Sequence, residues 1–195
     1  MSPYVSLVVL LLGCCTISRA QRQLPTVPEL DVAAYLGRWY QMYANIFSYA
    51  TFERNGVCIQ ATYGDKGGGV ISVWNTQRLF EPDGDLDALK GVAYQSDPDN
   101  SPGILSVGFP NLGGGAAPYW IAKLGPKLTG SDGVDRYEYS IVTDNVSLYL
   151  YVLARDPDRY RINYDSEVQE WLSTNGFTGV NAPIETLHVP ECIYV

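Results

Sequence analysis

The sequence predicts an all-β protein, an eight-stranded antiparallel up-and-down barrel followed by one C-terminal α-helix. Three observations predict it. Between Trp39 and Arg155 apolar and polar residues alternate in eight runs, at a spacing of roughly 8–12 residues that suits a barrel or sandwich. Clusters of Gly, Pro, Asp and Asn separate the runs and supply turn chemistry. After the last run the pattern changes once, from a period of two to a helical period. Eight antiparallel strands joined by short loops suit a sheet closed on itself.

In order, the runs are Trp39 to Phe47, Val57 to Gly64, Val70 to Leu79, Leu89 to Gln95, Ile104 to Phe109, Tyr119 to Leu124, Arg136 to Thr143 and Ser147 to Ala154. The turns between them are read at Gly67-Gly68-Gly69, Pro82-Asp83-Gly84, Asp97-Pro98-Asp99-Asn100, Gly113-Gly114-Gly115, Gly130-Ser131-Asp132-Gly133 and Asp144-Asn145. The helix then opens at Ser166, where Gln169 three residues on completes a capping box. Val168, Trp171 and Leu172 share its apolar face, and Asn175-Gly176 stops it. A short run from Glu185 to Val189 adds a last strand before Cys192.

The first twenty residues carry an apolar run from Val5 to Leu12 and end in Ser18-Arg19-Ala20, the pattern of a secretory signal peptide. A second reading takes Leu11-Leu12-Gly13-Cys14 as a lipoprotein box with lipid on Cys14. Cleavage after Ala20 leaves residues 21–195, a length suited to one domain with a sizeable core. Losing Arg19 takes the net charge from −8 to −9. With no cluster of Lys and Arg, nucleic acid and anionic lipid surfaces are poor partners. Cys58 and Cys192 are the cysteines that remain, and two cysteines in a secreted chain should pair. Catalysis finds little support. The single histidine, His188, lies near the tail with no plausible nucleophile beside it, and no metal-ligand spacing occurs. Asn145-Val146-Ser147 is a glycosylation sequon in the turn before the last run.

The segment Asp31-Val-Ala-Ala-Tyr-Leu-Gly37-Arg38-Trp39-Tyr40 opens with a short turn and a Gly-x-Trp. Far downstream, Thr143-Asp144 is followed by Tyr149 and by Val152-Leu153-Ala154-Arg155-Asp156. These ordered matches resemble the motifs of the lipocalin family. Cys58 to Tyr63, Ala117 to Ile121, Tyr151 to Arg155 and Cys192 are similar to its apolipoprotein D branch, which includes lazarillo, bilin-binding and bacterial outer-membrane members. The resemblance covers essentially the whole mature chain. It implies that the helix packs outside the barrel and that Gly37, Trp39 and Arg155 form the barrel base. There the guanidinium lies across the indole, worth about 0.5–2 kcal/mol. The branch's second disulfide, from the N-terminal segment to the seventh strand, has no cysteines here. The N-terminal segment is therefore expected to be freer.

A bridge from Cys58 to a tail beyond an external helix must leave the outer face, so Ile59, Ala61 and Tyr63 point inward. If Arg155 faces the interior base, Tyr149, Tyr151 and Leu153 also look inward. Parity stays open on two strands. Either Val70, Ser72 and Trp74 or Ile71, Val73 and Asn75 face inside, and either Tyr119 and Ile121 or Trp120 and Ala122. Ile59, Ala61, Tyr63, Tyr149, Tyr151 and Leu153 are the candidate ligand contacts, forming a mostly apolar interior with hydroxyl handles. The resemblance implies a secreted carrier of a small hydrophobic molecule such as a fatty acid or steroid. A bilin pigment carrier and a filled barrel without ligand are the other readings. The branch has Trp at the position of Tyr151. Apolar loops with Ile46, Phe47, Tyr49 and Phe52, and with Phe109, Leu112 and Gly113 to Gly115, either line the mouth or touch a lipid surface.

Overall fold

The computed structural model describes residues 23–110, 113 and 115–195; the expected leader, with Cys14 and Cys15, lies outside the described residues, as does Leu112. A short helix α1 (Val32–Tyr35) leads into β1 (Gly37–Ala44), then α2 (Ile46–Thr51), β2 (Gly56–Asp65), β3 (Val70–Leu79), β4 (Leu86–Gln95), β5 (Ile104–Gly108) and β6 (Ala117–Leu124). A small hairpin follows, β7 (Lys127–Thr129) and β8 (Asp135–Tyr137), then β9 (Tyr139–Thr143), β10 (Leu150–Ala154), α3 (Pro157–Asn163), α4 (Asp165–Thr174) and β11 (Ile184–Glu185). Every barrel pairing is antiparallel: β1 through β6 are neighbours in sequence order, β6 pairs with β9 and β9 with β10. Tyr40 against Ala154 and Ala44 against Tyr151 close β10 onto β1. The eight-stranded barrel is therefore complete.

Two cores divide the apolar residues. Ala61, Tyr63, Ile71, Val73, Ala93, Leu105, Ile121, Val142 and Leu153 pack inside with Tyr35 and Trp39. The alternation of β3 and β6 is thus settled, with Ile71, Val73 and Asn75 on one inner face and Tyr119 and Ile121 on the other. Met42, Tyr139, Ile141, Leu150 and Val152 form the second core on the outer face, where they meet Tyr160, Val168, Leu172 and Phe177.

The single predicted helix is two helices. Asp156 caps α3, accepting from the backbone N–H groups of Asp158 and Arg159 at 3.0 and 2.9 Å, and Pro157 occupies its first turn. The capping box at Ser166 does not form. Tyr164, at φ −127°, breaks the helix and is itself the N-cap of α4, its carbonyl taken by Val168 N at 3.0 Å, so Ser166 falls inside the first turn and not at the cap position. The predicted stop holds. Gly176 takes φ +89°, and Phe177 N reaches back to Leu172 O at 3.0 Å in a Schellman closure.

Three runs differ from expectation. The first stops at Ala44, because Asn45 turns the chain into α2 by accepting from Ser48 N at 3.2 Å. The seventh breaks at Glu138, whose carboxylate pairs with Arg159 on the outer surface, leaving β8 to pair with β7 below the barrel. The eighth begins late at Leu150, because Asp144 Oδ1 folds the preceding residues into a turn by accepting from Val146 N and Leu148 N. The last strand is two residues, Ile184 and Glu185, and lies against β1.

The N-terminal segment is not free. Leu24 is buried in the outer core, Val27 N donates to Ile121 O at 2.9 Å, and Val27 and Leu30 pack against the inner core. Apolar burial does there what a bridge would have done. The expected disulfide is present, Cys58 to Cys192, with Cα atoms 5.6 Å apart across 134 residues. Cys58 sits at a β-bulge with φ +52°, and its N–H bonds Leu187 O of the tail at 3.0 Å. The bulge takes in both Cys58 and Ile59, and from Gln60 to Asp65 the strand pairs with β3 in unbroken register.

Candidate ligand-binding site

The closed end is built on spent backbone carbonyls. A four-residue helix leaves its last C=O groups without helical partners. Arg155 supplies them, donating to Ala34 O and Tyr35 O at 3.0 and 3.1 Å, to Arg38 O at 2.6 Å and to Tyr137 O at 3.2 Å. Its guanidinium carbon lies 3.6 Å from the centroid of Trp39, whose Nε1 donates to Tyr35 O at 2.8 Å. Gly37 has φ +93°, and a Cβ there would stand 3.4 Å from Arg155 Nη1. Burial lowers the Arg155 pKa to about 10, which still leaves it charged at neutral pH.

Above this base lies a tyrosine floor. Tyr35, Tyr63 and Tyr119 come from α1, β2 and β6. The Tyr119 hydroxyl is 2.8 Å from that of Tyr35 and 3.0 Å from that of Tyr63, and Tyr35 also meets Ser140 Oγ at 3.0 Å. The rings of Tyr35 and Tyr63 stack with centroids 5.7 Å apart. Burial pushes all three phenols well up from their ordinary value, so they stay neutral hydrogen-bonding groups.

A cavity of about 720 Å³ opens above the floor. Its lower wall is apolar, with Ile71, Val73, Ala93, Leu105, Val142 and Leu153. Toward the mouth the lining turns polar, with Gln41, Glu53, Asn75, Gln77, Asp87 and Asp144. Phe52 and Tyr149 meet across the rim, ring centroids 5.8 Å apart. Glu53 is the unusual group, a carboxylate only 9% exposed. Its Oε2 accepts from Gln41 Nε2 at 2.8 Å, and burial pushes its pKa up to about 7.

That shift makes Glu53 a stability liability at alkaline pH. A carboxyl whose folded pKa is raised from 4.5 to about 7 favours the folded state while protonated, and stability falls as pH rises through that window. At about 1.4 kcal/mol per unit the penalty at pH 8 is up to about 3 kcal/mol. Glu53→Gln is expected to melt several degrees above the parent at pH 8, and the gap should close by pH 4.5. Melting curves at the two pH values check it.

All six predicted contact residues, Ile59, Ala61, Tyr63, Tyr149, Tyr151 and Leu153, line the cavity. Not every hydroxyl is a free handle, however, since that of Tyr63 is held by Tyr119. Tyr35, Glu53, Gln41 and Gln77 were not legible as site residues. Tyr35 sits in a short helix outside the strand pattern, and Glu53 looks like a solvent carboxylate in a polar loop. Of the mouth loops, Ile46 and Tyr49 lie on α2 rather than in irregular chain, and Ile46 and Phe52 are about half exposed. Asn145 is exposed in the β9–β10 turn. His188 is buried, its nitrogens 2.6 Å from Tyr194 Oη and 2.7 Å from Gln41 O, and burial lowers its pKa to about 4. Among the described residues no helix is long and apolar enough to cross a membrane.

Comparison with known proteins adds a family. The model of the lipocalin-like domain matches residues 30–178. Apolipoprotein D of Rattus norvegicus is 34% identical over 140 residues, 68% of this chain and 65% of the rat protein. The match to the Mus musculus protein, 41% identical, covers 50% of this chain and 47% of that one, so the chain spans about half to two thirds of the length of these relatives. Insecticyanin from the tobacco hornworm Manduca sexta superposes with a TM-score of 0.62 at 16% identity, covering 89% of each chain. Japanin from Rhipicephalus appendiculatus, solved bound to cholesterol, superposes with a TM-score of 0.51 at 16% identity, over 86% of this chain and all of that one.

Proposed function

The chain belongs to the lipocalin family, and from that membership and the shape of its interior we propose that it is a secreted carrier of a small, largely apolar molecule held in the barrel. The observation that carries the proposal is the cavity of about 720 Å³, closed below by tyrosines and open above. Its size falls in the range of small-molecule sites, and its apolar lower wall with polar groups at one end matches their usual make-up. The filled-barrel reading requires side chains where this space lies. Binding rather than turnover is the reading that lipocalin membership supports.

The expected passenger is steroid-like in size. The cholesterol seen in japanin is of that class. A bilin is a weaker fit, because its propionate groups would meet Glu53, Asp87 and Asp144 at the mouth. Secretion, and a glycan on Asn145, belong to the same proposal. Handover of cargo to lipid particles would use the half-exposed Ile46 and Phe52 at the rim.

The test is calorimetric titration of cholesterol analogues and biliverdin into the parent and into Ala61→Phe. Ala61 lines the cavity from β2, and a benzyl group there would occupy the space a ligand needs. One-to-one binding by the parent, weakened at least roughly tenfold by the filling substitution, is expected. Binding that ignores Ala61→Phe would place the ligand elsewhere, and visible absorbance with biliverdin would favour the pigment reading.

A further inference from the structure

Glu53 is held where a carboxylate costs stability, and the groups around it give a reason. Three carboxylates line the cavity, and two of them are engaged. Asp144 Oδ1 accepts from Val146 N at 3.2 Å and from Leu148 N at 2.8 Å, and Asp87 Oδ2 accepts from Gln77 Nε2 at 2.8 Å. Glu53 has Gln41 Nε2 on Oε2, and among the described residues no donor holds its Oε1. A buried carboxylate with open acceptor sites calls for a donor, and best for a cation.

Gln77 beside Glu53 shapes the rim without serving a ligand, since its Oε1 packs against Gly56 and shows no surface to the cavity. Its amide orientation is not arbitrary, because Asp87 accepts and therefore fixes Nε2 toward itself. Against the three carboxylates the described lining holds no Lys, Arg or His. The net charge of −8 adds a field that gathers cations.

We propose that the cavity selects amphiphiles whose head is a protonated amine, with Glu53 as the counter-ion at the mouth and the apolar tail on the tyrosine floor. This rests on the carrier reading and sharpens it, since a neutral lumen would take fatty acids and amines alike. An alkylammonium presents three donors on one charge. One would meet Glu53 Oε1, leaving the others for water at the open mouth. A fatty acid would instead bring a second carboxylate beside Glu53, Asp87 and Asp144, which no described basic residue of the lining offsets. Tyr49 and Tyr151, the titratable side chains beside Glu53, are pushed up by burial and stay neutral.

The experiment holds the tail constant and changes the head. Dodecylammonium, dodecanol and dodecanoate are titrated below their micellar concentrations at pH 8 into the full chain, its Glu53→Gln variant and Ala61→Phe. The ammonium should bind at least roughly tenfold tighter than the carboxylate. Glu53→Gln should weaken the ammonium by a similar factor and move dodecanol little. Equal affinity for ammonium and carboxylate, or an ammonium affinity untouched by Glu53→Gln, overturns the inference while the carrier reading survives. Failure of all three to bind overturns the inference and leaves the carrier reading to the cholesterol titration, while binding indifferent to Ala61→Phe places these ligands outside the barrel and overturns the inference too. Glu53→Gln is expected to fold, being free of the buried charge, and its melting curve at pH 8 confirms that any loss of binding is local.

Discussion

Trp39→Ala should lower the unfolding free energy by about 4 kcal/mol, within the range for removing a fully buried large aromatic side chain. The indole is completely buried at the closed end, 5.0 Å from the Tyr35 ring and 3.6 Å from the Arg155 guanidinium. Truncation removes three things together: the packed volume, the cation–π contact, and the Nε1 donor on Tyr35 O. Arg155 remains but loses the surface it lies on. The prediction has a second half, that the surviving folded protein keeps its cavity, because Tyr35 and Tyr63 are still tied to Tyr119 above the void. Chemical denaturation gives the first number and ligand titration on the same sample the second. A loss below 1 kcal/mol would remove the base from its structural role.

Severing Cys58 from Cys192 should cost a comparable amount. The bridge closes 134 residues, every barrel strand after β2 together with α3 and α4, and for a loop of that length the chain-entropy model gives about 5 kcal/mol. For a chain of this size each kcal/mol moves the melting temperature by roughly 2–4 °C, so reduction or the double serine variant should lower it by roughly 10–20 °C. The barrel should stay closed in what remains folded, since beyond the bulge β2 is paired with β3 from Gln60 to Asp65 and with β1 from Gln60 to Tyr63. The tail would retain Cys58 N on Leu187 O and Arg78 Nε on Ile193 O at 2.7 Å. A drop of only a few degrees would mean that the reduced, unfolded chain keeps enough residual structure for the bridge to remove little entropy from it.

Periodicity made the barrel legible because each strand writes its own alternation, and that signal needs no distant partner. The same holds for the inward set on β2 and β10, once a disulfide and a base arginine had fixed one residue on each strand. Where the observed elements differ from the predicted ones, the deciding contact is remote. The break at Glu138 depends on Arg159 in α3, twenty-one residues away. The docking of the N-terminal segment depends on Ile121 and Gly103, whose backbone it meets. Ser166 reads as a cap because nothing local shows that Tyr164, which closes α3, also opens α4. Glu53 is the hardest case. Nothing in Phe52-Glu53-Arg54-Asn55 marks one charge as buried and the next as exposed; the barrel rim and Gln41 from β1 do so.

The carbonyl-bound arginine at the base has a consequence for how this molecule can change over time. Its hydrogen-bond acceptors are main-chain oxygens, which a substitution at Ala34, Tyr35, Arg38 or Tyr137 does not delete. The rim residues that would read a ligand's head group sit at the opposite end of the barrel and share no partner with that network. Substitutions so separated tend to act additively. Mouth and base can therefore diversify independently, one lineage of changes altering cargo while the other leaves the container intact.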